Sequence, residues 1–176
     1  MLIPCSAKDV DAIVGIVNDA AVSYRGVIPA DFSKQPYMSR DELEAEVDAG
    51  VRFSAFWEGD ALGGVMGSQR VSDVTLIRHA YVRPTHQRRG IGAALLAALR
   101  AEAGERTLLV GTWAGAHWAI SFYRRNGFQL QSPAETARLL STYWDIPPSQ
   151  ASASVVLSIS PLPVCLRDDN PAKEER

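Results

Sequence analysis

Residues 83–92 read RPTHQRRGIG, and the run gives way at once to AALLAALR. Three arginines, a histidine and a glutamine fall within seven residues, Arg83 to Arg89, and two glycines follow. A stretch of alanine and leucine then begins with helical character. The start of a helix presents main-chain N–H groups that have no partner inside the helix, and it carries about half a positive charge. Gly90 and Gly92 remove side chains that would hold a ligand away from that backbone. Arg88 and Arg89 add full charges, and Gln87 adds an amide donor. Such a combination makes a cradle for a diphosphate. On its own the stretch reads equally well as a solvated basic turn ahead of an ordinary helix. It is not a dinucleotide fingerprint, because the third glycine position is Leu95, and no Gly-Lys-Ser/Thr follows to make a nucleotide-triphosphate loop.

The surroundings make the basic knot an exception. The chain has 176 residues, 47% of them hydrophobic, and a formal net charge of −2. This length and apolar content suit one domain with a proper core, expected over residues 1–160. The proline- and charge-rich segment 161–176 is expected to fray. Balanced charge gives no basic field for nucleic acid or for an anionic lipid surface. Cys5 and Cys165 are far apart, and the three histidines form no cluster with metal-ligand spacing. No leader-like N-terminus is visible, and no apolar run reaches about 18 residues. The expectation is a cytoplasmic protein with no metal, no membrane and no nucleic acid as partner.

Periodicity supplies the elements. Ser6 and Asp9 have capping spacing, and Val10, Ile13, Val14, Val17, Ala20 and Ala21 follow at helical intervals, which predicts a helix over about 7–23. YRGVIPADFSKQPYM (24–38) has no period and reads as an unusually apolar loop. Ser39 and Glu42 form a capping box for a short helix over 40–49, stopped by Gly50. Val51–Trp57 and Leu62–Gln69 read as a hairpin around Glu58-Gly59-Asp60. Residues 74–82 form a longer strand that ends before Pro84. A helix over 92–103 with Leu95, Leu96 and Leu99 on its apolar side, a buried strand over 107–113 and a helix over 116–125 come next. FQLQ (128–131) opens a strand, 134–144 a short helix and 152–160 a last strand. The order predicts a mixed α/β layout around one sheet.

Two stretches together resemble a known family. AYVRPTHQRRGIGAALLAAL (80–99) is similar to the acyl-CoA-binding motif of the GNAT family of N-acetyltransferases, and Gln87-Arg88-Arg89-Gly90-Ile91-Gly92 fits that motif in full. WAISFYRRNGFQL (118–130) resembles the family's later helix, with Ala119, Phe122, Tyr123, Gly127 and Phe128 at the matching places. One strand, 107–113, separates the two, as in the family. The resemblance implies a mostly antiparallel mixed sheet with a splayed parallel pair, 74–82 beside 107–113, flanked by helices. It also implies transfer of an acetyl group from acetyl-CoA to an amine by direct attack. The backbone of Tyr81, Val82 and Arg83 would pair with the pantetheine arm. The tip from Gln87 through Arg88, Arg89, Gly90 and Ile91 to Gly92 would take the diphosphate, and Ala119 and Tyr123 would line the cofactor. Tyr123 matches a tyrosine that protonates the leaving thiolate.

The sequence departs from the family pattern at several places. Arg78 stands where many members carry a glutamate base, and a guanidinium cannot accept a proton. His79 is the next candidate, since imidazole titrates near neutrality, although strand alternation points it to the face opposite Arg78. Asp73 or a water chain are the alternatives. Ala116 replaces an asparagine that often opens the tyrosine helix. Trp113 and Trp118 read first as core residues. The acceptor would lie under the loop 24–38, with Tyr24, Phe32, Tyr37 and Met38 as an apolar wall and Tyr143-Trp144 opposite. Arg25, and Arg78 from below, would then suit an acceptor carboxylate. The same loop could instead seal the core or form a homodimer contact. A small-molecule amine is the leading acceptor. A peptide or protein amine, and an acyl-CoA sensor without turnover, remain as alternatives.

Overall fold

The computed structural model describes residues 2–160; the segment 161–176, expected to fray, lies outside them. Seven strands form one sheet: β1 (Leu2–Pro4), β2 (Arg52–Glu58), β3 (Ala61–Val71), β4 (Val74–Val82), β5 (Thr107–Trp113), β6 (Gln129–Leu130) and β7 (Ser154–Ile159). Their spatial order is β1-β2-β3-β4-β5-β7-β6, and β4–β5 is the parallel pair among antiparallel neighbours. The helices are α1 (Val10–Ala21), α2 (Arg40–Asp48), α3 (Ile91–Ala103), α4 (His117–Arg125), α5 (Pro133–Tyr143) and α6 (Pro148–Ser152).

Strand periodicity sends alternate side chains to opposite faces, and two layers of helix cover them. On one face α3 buries Ile91, Leu95, Leu96 and Leu99 against Met66, Ile77, Leu108 and Val110, and Tyr123 and Phe128 close the cluster. On the other face α1 sets Ile13, Ile16 and Val17 on Phe53, Ala55 and Val65. Further along that face α5 sets Leu139 and Leu140 on Leu76, Leu109 and Val156. Each fully buried aliphatic side chain of this kind contributes about 1.5–3 kcal/mol. The α1–α2 cluster and the α5 cluster are separate, and the face between them is left open.

Both predicted capping boxes form. Ser6 accepts from Lys8 while Asp9 takes the Ser6 amide, and Ser39 and Glu42 do the same at α2. The predicted loop 24–38 holds only a short 3-10 turn, Ala30–Phe32. β1 and α6 were not anticipated. Three residues at an edge and a single turn of helix carry too little period to register.

The centre of the sheet opens. β4 and β5 pair from Val74↔Thr107 to Ile77↔Val110 and no further, although β4 continues to Val82 and β5 to Trp113. β5 stays paired to β7 throughout, and β4 to β3. The carboxyl halves of the parallel pair therefore diverge, as the family resemblance implied.

Candidate active site

The helix start at residues 88–93 is unpartnered. Gly90 caps α3 in a left-handed conformation, φ 79°, and Arg88 is also left-handed at φ 59°. The first helical hydrogen bond runs from the Ala94 amide to the Gly90 carbonyl. Among the described residues the main-chain amides from Arg88 to Ala93 donate to nothing. A Cβ on Gly90 would have nothing within 4 Å, so its open side faces the space a ligand would fill. A Cβ on Gly92 would stand 3.3 Å from Phe122, so this glycine lets α3 lie close on α4.

The arginines of the knot divide. Arg89 makes a double contact with Glu58, 3.0 and 2.5 Å. Arg83 pairs with Asp19 and donates from Nε to the Leu62 carbonyl at 3.1 Å. Its amide is bonded to Gly63, and the Gln87 side chain donates to the Val82 carbonyl at 3.2 Å. The side chains of Arg83 and Arg89 are thus paired within the scaffold, while the Arg89 amide belongs to the free helix start. Their partners lie 64 and 31 residues away in the chain, beyond the reach of a local reading. Arg88 makes no ion pair among the described residues and lines the cleft below the helix start, as does Arg125 of α4, which the sequence reading missed. Because Arg83 bonds toward β3, alternation turns the Val82 amide toward the gap, where β5 no longer reaches it.

That cleft has a volume of about 630 Å³. It runs from Gly90 and Gly92 past Val82 and Ala119 to Tyr81, Tyr24 and Tyr123. Tyr123 is buried, in contact edge-on with Phe122 and Phe128, and its hydroxyl makes no hydrogen bond among the described residues. Burial pushes its phenol above the ordinary tyrosine range. Burial likewise pushes Tyr24 up to about 12 and Tyr81 well up. All three hydroxyls therefore stay protonated at neutral pH. Trp118, read first as a core residue, is 43% exposed and stands edge-on to Tyr24 at 5.2 Å.

The cleft continues through the sheet. A throat of about 190 Å³ lies in the β4–β5 gap, bounded by Arg78, His79 and Tyr81 on one strand and Gly111, Thr112 and Trp113 on the other. Tyr24 and Tyr37 of the loop stack over it at 6.2 Å, both edge-on to Tyr81. Beyond it a cavity of about 890 Å³ fills the open face between α2 and α5. Phe32 meets Trp113 there at 5.4 Å, and Tyr143 and Trp144 form the opposite wall. Phe32, Tyr37 and Met38 of the loop line this cavity, while Tyr24 lines the throat and the cleft instead, and Trp113 lines the cavity rather than the core. Arg25 does not reach it: this side chain is exposed and borders a separate hollow of about 40 Å³.

His79 departs most from its strand pattern. His79 and Ala80 together oppose the single residue Met66, a bulge in β4, and His79 adopts φ 46°. The bulge cancels the alternation, so Arg78 and His79 lie on the same side, both against Glu46 of α2. One terminal nitrogen of Arg78 sits 2.7 and 2.8 Å from the two Glu46 oxygens, and the other donates to Gln69 at 3.0 Å. His79 Nε2 is buried 3.4 Å from Glu46 Oε2 without a hydrogen bond, and Nδ1 has no partner among the described residues. Burial raises the Glu46 carboxyl, but His79 and Arg78 outweigh it and hold the group below the ordinary range. A left-handed histidine costs about 1–3 kcal/mol, the kind of strain that collects at functional sites. Glu46 was invisible in the sequence, where EAEVD reads as the solvated side of a short helix.

The sheet is open at its one parallel pair, with a free helix start on one side and a cavity of about 890 Å³ on the other. A model of the acetyltransferase (GNAT) family matches residues 15–128, and the chain belongs to that family. Acetyl-CoA is the donor that this family uses. No curated protein sequence matches the chain. Among solved structures it is similar to the PaiA N-acetyltransferase of Thermoplasma acidophilum in complex with coenzyme A, at 14% identity and TM-score 0.67 over 92% of this chain and 99% of that one. It is also similar to the ribosomal-protein-S18-alanine N-acetyltransferase of Escherichia coli, at 18% identity and TM-score 0.66 over 91% and 92%. A ribosomal-protein-alanine N-acetyltransferase of Brucella melitensis matches at 19% and 0.64 over 92% and 99%. At these identities the likenesses establish the fold. No helix among the described residues is long and apolar enough to cross a membrane.

Proposed function

We propose that the protein transfers the acetyl group of acetyl-CoA to the amine of a small molecule held in the cavity between α2 and α5. The observation that carries this reading is continuity: the cofactor cleft, the throat in the sheet and the acceptor cavity share Tyr24, Tyr81, Tyr37 and His79 at their junctions. Acetyl-CoA supplies an activated acyl carbon and a good leaving group.

The residues of this chain do the rest. The amides from Arg88 to Ala93, with the positive end of α3, bind the diphosphate, and the Arg88 and Arg125 side chains add charge at the rim. The Val82 amide offers a strand-type bond to the pantetheine arm. An alkyl amine has a pKa of about 10 and arrives protonated. His79 takes its proton, held in orientation by Glu46 and fixed in place by the bulge. The freed nitrogen forms the C–N bond as the C–S bond breaks, and the second proton it then carries in excess passes to the solvent. Tyr123 donates a hydrogen bond to the departing sulfur. Its raised pKa makes complete proton transfer to a thiolate of ordinary pKa, about 8.5, uphill. Tyr123 therefore stabilises the leaving charge, and the thiolate takes its final proton from water.

The test is thiol release from acetyl-CoA across a panel of primary amines, with parent and His79→Gln side by side. At least one amine should raise release well above the rate of water alone, and His79→Gln should lower that rate about 100-fold or more, the range of general-base catalysis. No amine-dependent release from a protein that binds coenzyme A would leave a sensor rather than an enzyme.

A further inference from the structure

We infer that the acceptor enters as a cation carried on an aromatic or apolar body and bears no carboxylate. This rests on the N-acetyltransferase reading above and names the substrate class of the same cavity.

The walls carry the inference through their charges. Four carboxylates face the cavity, those of Asp31, Glu42, Glu46 and Asp145, against two cations, Lys34 and Arg78. Both cations are already matched within the wall: Lys34 pairs with Glu42, and Arg78 with Glu46. The second Arg78 nitrogen is taken by Gln69. Asp31 and Asp145 have no ion pair among the described residues. The unspent charge in the cavity is therefore negative. An acceptor carboxylate could reach a cation only by taking Arg78 from Glu46, and the half-buried Glu46 would then lose its two guanidinium contacts and keep only the 3.4 Å approach of His79, a costly exchange for a charge. An ammonium group has two free carboxylates to meet on entry.

The aromatic content gives the second part. Phe32 packs on Trp113 at 5.4 Å on one side, and Tyr143 and Trp144 stand on the other. Tyr143 is fixed by a hydrogen bond to Asp73 at 2.8 Å. Flat apolar walls with carboxylates at the rim suit a ring or chain that stacks while its ammonium stays near both the acids and the ring faces. A volume of about 890 Å³ holds a small molecule of this kind with room to spare.

The experiment uses matched twins, 2-phenylethylamine and phenylalanine, which differ by one carboxylate. Calorimetric titration of each into the full-length protein saturated with coenzyme A should show the amine at least 10-fold tighter. Asp31→Asn with Asp145→Asn should reduce that preference several-fold. Equal or tighter binding of phenylalanine overturns the inference, as does binding of neither twin or a preference untouched by the double variant. Thiol release with acetyl-CoA, run in parallel, separates the two claims. Amine binding without release overturns the enzyme reading and leaves the substrate class standing. Release that favours phenylalanine does the reverse.

Discussion

In the proposed reaction Tyr123 and His79 stand at opposite ends of the path, and each tests a different part of it. Tyr123→Phe removes one hydroxyl from a buried ring that packs on Phe122 and Phe128, so the fold should survive. Loss of a hydrogen bond to a charged group costs about 1.5–3 kcal/mol, so kcat should fall about 10- to 100-fold with KM for acetyl-CoA unchanged. A KM rise at constant kcat, read from steady-state kinetics, would instead make Tyr123 a packing residue. Glu46→Gln keeps the shape of the helix but removes the charge beside His79 and Arg78. It should lower kcat several-fold while leaving the affinity for coenzyme A unchanged. A kcat equal to the parent's would show that Glu46 does not orient the base. Tyr123 was legible because its helix carries several matched residues at once. Glu46 was not, because its contacts at Arg78 and His79 lie 32 and 33 positions further along the chain and depend on a bulge. The arginines show another limit of local reading: Arg83 and Arg89 read as free cations next to Arg88, and distant Asp19 and Glu58 pair with both.

Local signals governed the elements unevenly. Capping boxes were read correctly because their partners sit three residues apart, and both form. Ser39→Ala should therefore cost about 1 kcal/mol, measurable by denaturant unfolding. The same cap predicts a pH dependence. Lys34 and the Ser39 amide hold the Glu42 carboxyl down at about 2. A group whose folded pKa is depressed stabilises the fold above its unfolded value and loses that contribution as pH falls through the folded one. Unfolding midpoints of the parent should thus decline between about pH 4.5 and pH 2 more steeply than those of Glu42→Gln; parallel curves would remove Glu42 from the account. β4 shows where periodicity fails. Alternation sent His79 away from Arg78, but one inserted residue reversed it, and a bulge leaves no mark in a run of β-branched and aromatic side chains. β1 and α6 escaped because elements of three and five residues carry no period of their own.

At the level of the whole molecule, the one parallel seam of the sheet is the place where it opens, and there the proposed site lies. Antiparallel neighbours hold β4 and β5 from outside, so the parallel pair can part after Ile77 and Val110 without loosening the core. The order of elements and the two motifs made this topology legible. The cavity proposed for the acceptor was less so, because its walls come from the 24–38 loop, α2, the β4 bulge and α5, and no local pattern joins them. Coenzyme A at 100 times its Kd should stabilise the fold by about 2.7 kcal/mol. For a chain of this size that corresponds to a rise in Tm of about 5–10 °C, and a scan with no shift would mean that the folded state does not hold the nucleotide. The central claim is that free main-chain amides around Gly90 grip the diphosphate, and its most direct test is calorimetric titration of coenzyme A into the parent and into Gly90→Glu. The substitution places a carboxylate in the cradle at a left-handed position. The account predicts clear binding by the parent and loss of at least 100-fold in the variant, while both retain the same circular dichroism. Equal affinity in two folded proteins would contradict it.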